Sequence, residues 1–275
     1  MKKIMTALMI LGFTFALPMG AHASPESDLK DFQGYFKKKF PNVKFEEFSN
    51  GLYALPGAED RRAEWQGLMD FPPFELELSK GKKFWDKNDL KSCFKNDGKN
   101  IAQGFPYWDA KKKKVITLEG AINDCLASKK MDKIKDVKKG LMAEVAAYMK
   151  SLSAGQKVNL DLSDPGMQAI YEKGKKFYWA KRGQLNFSCA DCHVKNAGKF
   201  VGGNILSAGL GHGTGFPAYR SKWGGLGTLH RRYGGCNKQV RAKDLKAQGP
   251  EYTALEVYET YMATGLPLVA PSQRF

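Results

Sequence analysis

The sequence predicts a mainly α-helical fold built from two small, related domains. Three observations predict it. A block of residues recurs within the chain, apolar residues fall at helical spacing in the late segments, and cysteines occupy matching points in the two copies. Of the 275 residues, enough remain after an N-terminal leader for two domains with cores of their own.

The leader comes first. Lys2 and Lys3 precede an apolar run from Ile4 to Leu17, and Ala21-His22-Ala23 offers a small-residue cleavage signal before Ser24. Residues 1–23 therefore read as a secretory signal peptide, and the mature chain as an exported, periplasmic protein. The apolar run is short for a membrane span, an uncleaved anchor being the alternative, and no later stretch is long and apolar enough. Residues 24–150 then hold an N-terminal segment, Ser24 to Leu68, followed by the first domain. Residues 151–165, rich in Ser, Gly, Asp and Pro, read as a linker, and residues 166–275 as the second domain.

The repeat fixes the order within each domain. Gly104-Phe105-Pro106 lies as far before Cys125 as Gly215-Phe216-Pro217 lies before Cys236. Lys111 matches Lys222, Thr117-Leu118 matches Thr228-Leu229, and the two cysteines match without a gap. Upstream, Gly81-Lys82-Lys83-Phe84 precedes Cys93 as Gly174-Lys175-Lys176-Phe177 precedes Cys189, and Tyr148-Met149 answers Tyr261-Met262. Each copy then reads as a helix, a loop with a first cysteine, a long loop, a second cysteine and a last helix. Helices are expected at Gly140–Leu152, Gly166–Arg182 and Thr253–Thr264. In the first of these, Leu141, Val145, Tyr148 and Leu152 line one face. Glycine is dense between Gly198 and Gly235, which predicts irregular loops there.

The first cysteine of the second copy opens Cys189-Ala190-Asp191-Cys192-His193. Two thiols at this spacing can form thioethers to haem vinyl groups while the adjacent histidine ligates the iron, so the motif reads as a c-type haem site. A redox dithiol or half a zinc site competes, but the chain is exported and has no second Cys-x-x-Cys. In the first copy the same register reads Cys93-Phe94-Lys95-Asn96-Asp97, with Asn96 for the second cysteine and Asp97 for the histidine. Two cytochrome-c-like domains are thus expected, with one haem c, carried by the second.

Three cysteines remain. In the haem-free copy Cys93 is the available partner for Cys125, and an oxidising compartment predicts a disulfide between them. Cys236 is then odd. It reads as the second axial ligand of the iron opposite His193, as half of an intermolecular disulfide, or as a buried inert thiol. Met262, His212, His230 and Met167 are the other candidate ligands.

The copies differ most just before the second cysteine. Glu119, Gly120 and Ala121 of the first correspond to His230, Arg231 and Arg232 of the second. Cations lower a thiol pKa and hold anions by charge-assisted hydrogen bonds, and the guanidinium fork suits sulfonate-like oxygens. Arg232 and Arg231 are therefore candidate substrate ligands beside a catalytic Cys236, pairing with haem propionates being the alternative. Gly234 and Gly235 would leave room at the sulfur. The formal charge of +16, concentrated in Lys111–Lys114 and in residues 129–139, suits steering of an acidic partner or anionic substrate. Export and the haem motif argue against nucleic acid.

On Cys189 to His193 together with His230-Arg231-Arg232-Tyr233-Gly234-Gly235-Cys236-Asn237-Lys238-Gln239-Val240-Arg241, the chain resembles the SoxA subunits of the SoxAX cytochromes, the L-cysteine S-thiosulfotransferases. The resemblance spans nearly the whole mature chain. It implies a haem ligated by His193 and by Cys236 carried as a persulfide, with Arg232 at the substrate. It further implies a SoxX-type cytochrome c partner and a SoxYZ-type carrier protein whose cysteine receives thiosulfate as two electrons leave. Many members hold a second haem in the first domain. Asn96 and Asp97 depart from that pattern and resemble the single-haem type with a Cys93–Cys125 disulfide. A thiosulfate dehydrogenase making tetrathionate and a plain electron-transfer cytochrome are the competing functions.

Overall fold

The computed structural model describes residues 24–274. The expected signal peptide lies outside the described residues. Among the described residues no helix is long and apolar enough to cross a membrane.

Helix α1, Pro25–Lys39, starts where the Ser24 side chain accepts from the Ser27 N–H at 3.2 Å. Pro25 sits in its first turn, acidic Glu26 and Asp28 follow, and Lys37 to Lys39 close it, which suits the helix dipole at both ends. Phe32 and Phe36, four apart, form its buried face. That face covers the second half of the chain, where the Phe32 ring meets Tyr178 and Tyr258 edge-on. Asp28 takes hydrogen bonds from Tyr171 Oη at 2.9 Å and Lys175 Nζ at 2.5 Å. Lys39 Nζ donates to the carbonyls of Val194 and Lys195, both at 2.8 Å. The N-terminal segment is thus a brace for the Cys-x-x-Cys-His turn, a placement the sequence had left open.

A 3₁₀ stretch, Phe45–Ala54, leads to α2, Glu59–Asp70, and α3, Glu75–Lys87. A short hairpin of β1, Tyr107–Asp109, and β2, Lys114–Ile116, precedes α4, Leu118–Ser128, and α5, Leu141–Ser151. The second half opens with α6, Pro165–Trp179, capped by the Asp164 carboxylate on Gly166 N at 2.7 Å. Beyond the cysteine motif come the two-residue strands β3, Phe200–Val201, and β4, Asn204–Ile205. A hairpin of β5, Ala218–Arg220, and β6, Gly225–Gly227, leads into α7, Leu229–Gln239. Helix α8, Pro250–Met262, follows, and β7, Ser272–Arg274, runs parallel to β5.

Each half crosses its first helix against its last at a glycine. A Cβ on Gly81 of α3 would stand 2.1 Å from the Glu144 carbonyl of α5, and one on Gly174 of α6 would stand 1.9 Å from the Ala254 carbonyl of α8. No other residue allows backbones this close. The Gly-Phe-Pro turns match too, Phe105-Pro106 and Phe216-Pro217 both being cis. The halves share one continuous hydrophobic core. Residues 151–165 pack into it: Val158, Leu160 and Leu162 are buried, and Val158 N donates to Leu266 O at 2.9 Å.

The expected terminal helices are present to within a few residues. Cys125 and Cys236 lie inside helices of their own, α4 and α7, which were not among the expected elements. Thr117 caps α4, its Oγ1 accepting from Gly120 N at 3.0 Å, and Thr228 occupies the same position before α7. Gly234 and Gly235 suggested a loop but sit in α7. A Cβ on Gly234 would stand 2.4 Å from Asp244 Oδ1, so this glycine serves close packing within a helix.

Candidate functional site

A π-helical turn, Asp191–Lys195, carries Cys192 and His193, with Cys189 just before it. Ser188 and Asp191 fix its start: Asp191 Oδ2 accepts from Ser188 N and from Ser188 Oγ, both at 2.9 Å. His193 is buried, and burial drives its pKa well below the ordinary value, so the ring is neutral, the form that binds metal. Its Nδ1 lies 3.0 Å from the Ser207 carbonyl. That contact selects the tautomer protonated at Nδ1 and presents Nε2 as a base, the usual outer support of a metal-ligating histidine. Cys189 and Cys192 are unpaired and half-buried. Burial pushes the Cys189 thiol up to about 12 and raises Cys192 as well, although Arg182 Nη1 donates to Cys189 Sγ at 3.4 Å.

Across from this turn stands α7. Cys236 is unpaired and half-exposed, and it lies within electrostatic reach of both Cys189 and Cys192, which marks the region between that turn and α7 as the candidate pocket. Arg232, one turn earlier on α7, lies within electrostatic reach of Cys192, His193, His212 and Glu259. A Cβ on Gly235 would meet only Arg232 Nη1, at 3.9 Å, which leaves the helix surface open between the arginine and the sulfur. Tyr178 supplies a further sign of fit: its hydroxyl is buried beside the motif cysteines and has no hydrogen-bond partner among the described residues. Two free thiols, a tautomer-locked histidine and an orphaned buried hydroxyl fit a covalent haem held by Cys189 and Cys192, with His193 on one face.

Arg231 is not brought to the sulfur. Its guanidinium lies 4.2 Å over the Trp223 ring, and its Nη1 donates to Leu226 O at 3.3 Å. His230 is held within its own half: Glu256 Oε2 stands 3.0 Å from its Nε2, and Gln248 N donates to its Nδ1 at 2.8 Å. With both nitrogens engaged it is no candidate for iron. His212 Nε2 is 2.9 Å from Ser207 Oγ, and its Nδ1 is 3.6 Å from Glu259. Met262 and Met167 are packed in the common core.

Cys93 and Cys125 form a disulfide, with Cα atoms 5.8 Å apart. It ties the 3₁₀ turn Leu90–Cys93 to α4. An open cleft of about 430 Å³ lies beside it, walled by Phe94, Phe105, Tyr107 and Ile116.

Sequence reasoning missed Arg220 and Glu259, and named His212 only as a candidate iron ligand. Arg220 is electrostatically coupled to both Arg232 and Cys236. The repeat register carried a signal for it, because it sets Arg220 against Asp109, a reversal of charge at one position. Glu259 was hidden by its place on a helix read as packing.

A family model described as the SoxA/TsdA cytochrome c domain matches residues 80–158. The L-cysteine S-thiosulfotransferase subunit SoxA of Chlorobaculum tepidum is 44% identical over 277 aligned residues, 98% of this chain and 96% of the relative. The SoxA subunit of Allochromatium vinosum is 42% identical, covering 98% of each chain. A chain in the crystal structure of SoxXA from P. pantotrophus superimposes with a TM-score of 0.69 at 28% identity, covering 78% of this chain and 84% of that one. With relatives this similar over nearly their whole length, the chain belongs to the SoxA family of L-cysteine S-thiosulfotransferase subunits.

Proposed function

We propose that this chain is the single-haem, sulfur-handling subunit of a periplasmic thiosulfotransferase, exported through residues 1–23. Its partner is a SoxX-type cytochrome c, and its acceptor is a cysteine on a SoxYZ-type carrier. The observation that carries this reading is the facing of Cys236 and Arg232, one turn apart on α7, toward the Cys189–His193 turn. The haem, held by Cys189, Cys192 and His193, supplies the exit for electrons when bound.

The residues divide the work as follows. Arg232 binds the sulfonate oxygens of thiosulfate and turns its outer sulfur toward Cys236. Cys236, carried as a persulfide, is the sulfur to which thiosulfate is attached and from which the carrier takes it. In the net reaction the carrier thiol loses its proton, and a sulfur–sulfur bond forms between its sulfur and the outer sulfur of thiosulfate. Two electrons pass to the cytochrome partner. Arg231, stacked on Trp223, props the start of α7, and Arg220 adds positive charge on the approach.

The two halves, residues 24–150 and 166–275 joined through 151–165, are read as a duplicated cytochrome-c-like domain whose first copy has lost its haem. The paired glycine crossings, the match of a cytochrome c domain model to residues 80–158, and the disulfide at the old first cysteine support this.

Arg232→Ala tests the substrate assignment. The expected result is a KM for thiosulfate raised roughly tenfold to a hundredfold, as for loss of one charge-assisted contact of about 1.5–3 kcal/mol, with covalent haem unchanged. Steady-state kinetics with carrier and cytochrome partner measure it. Wild-type KM would remove Arg232 from the site.

A further inference from the structure

A polar path runs alongside the pocket from His193, and its other members, Ser207, His212, Glu259 and Tyr233, have no role in the chemistry of sulfur transfer. It begins at His193 Nδ1, 3.0 Å from the Ser207 carbonyl. Ser207 Oγ lies 2.9 Å from His212 Nε2. His212 Nδ1 stands 3.6 Å from Glu259 Oε1, a polar approach rather than a hydrogen bond. Glu259 Oε2 accepts from Tyr233 Oη at 2.7 Å. Tyr233 lies one turn before Cys236 on α7. The path therefore links the histidine on one side of the pocket to the helix that carries the sulfur on the other.

Glu259 is an expensive residue in this position. It is 3% exposed, on a face of α8 where Leu255, Tyr258 and Met262 are also buried. A carboxyl in such surroundings destabilises the fold unless it is bonded, and burial pushes this one up to about 7. His193, Arg232, Glu256 and Tyr233 all act on it. In the first half the register of Tyr148 against Tyr261 puts Ala146 at this point, also buried, so the helix packing itself has no need of an acid. The same half lacks the tyrosine: Ile122 stands where Tyr233 does. Acid and tyrosine occur together only in the half with the Cys-x-x-Cys-His motif.

We infer that Glu259 is a positioning residue: through Tyr233 it fixes the Cys236 turn of α7 relative to the His193 ring, which Ser207 and His212 hold from the other end. The inference rests on the reading of His193 and Cys236 as the two ligands of the iron. A carboxylate reaching across a pocket to a tyrosine, with a second group behind the histidine, keeps the two sides in register while the sulfur is loaded and unloaded.

The test uses Tyr233→Phe, which removes one oxygen, and Glu259→Gln, which keeps the shape, in the haem-loaded complex with its cytochrome partner. Cys236→Ala is run beside them. Both variants should keep covalent haem, while the ferric low-spin paramagnetic resonance signal splits into more than one species. The rate constant kcat for sulfur transfer should fall about tenfold, the lower end of the range for outer-shell partners of a metal ligand. KM for thiosulfate should stay within about twofold in Tyr233→Phe, because Arg232 is untouched. A single parental signal and parental kcat in both variants would overturn the inference. If Cys236→Ala itself leaves the wild-type signal unchanged, the ligand reading fails and the inference falls with it.

Discussion

Cys236→Ala should abolish transfer of thiosulfate to the carrier while leaving haem covalently attached. The proposed attachment points, Cys189 and Cys192, lie at a separate turn braced by α1 and by the Ser188–Asp191 bonds. Removal of the reacting atom leaves no sulfur to carry the substrate, so the rate should fall by roughly a thousandfold or more, as for loss of a covalent nucleophile. Where Cys236 also holds the haem iron, as the family resemblance implies, the ferric spectrum would change in the same variant. Haem content by absorbance, together with transfer assayed by mass of the carrier, separates the two effects. A variant with normal haem and normal transfer would reduce Cys236 to a packing residue.

The second large effect is on stability. Replacing Cys93 and Cys125 together by alanine removes a cross-link between residues 32 apart in sequence. Loop-closure entropy puts the loss at about 3–4 kcal/mol, or a fall in Tm on the order of 10 °C for a chain of this size. The lost bridge joins the turn Leu90–Cys93 to α4, far along the chain from the haem motif, so haem content and the rate of sulfur transfer should stay within about twofold. Thermal unfolding by circular dichroism measures the first quantity and steady-state kinetics the second. An unchanged Tm would mean that the core of the first half stands without its bridge. Loss of haem would mean that this half shapes the site.

Much of this organisation was legible in the residues because covalent chemistry and close packing leave local marks. The pairing of Cys93 with Cys125 followed from setting one copy against the other, and the two form a disulfide. Helix α5 showed in its apolar periodicity. Helix α7 did not. Its mean hydropathy is low and it contains Gly234 and Gly235, so local propensity argues against a helix that tertiary contact with Asp244 requires. Nor did the sequence place α1, whose Phe32–Phe36 face fits any apolar surface. Only the distant partners Asp28–Lys175 and Lys39–Val194 decide which half it covers.

The site was legible in the same uneven way. Arg231 and Arg232 are neighbours in sequence, but successive residues on a helix point about 100° apart. One consequently stacks on Trp223 while the other faces the pocket. Arg220, His212 and Glu259 come from a strand, a loop and a helix that only the fold brings together.

The central claim is that this chain loads thiosulfate onto a carrier cysteine rather than moving electrons alone. The most direct test incubates the purified haem-loaded protein and its SoxX-type partner with thiosulfate, an oxidised cytochrome and a SoxYZ-type carrier. The intact carrier is then weighed and tetrathionate assayed in the same mixture. The account predicts a carrier heavier by one thiosulfate group on its cysteine, with two equivalents of cytochrome reduced for each group added. Tetrathionate in the mixture with the carrier unmodified would contradict it.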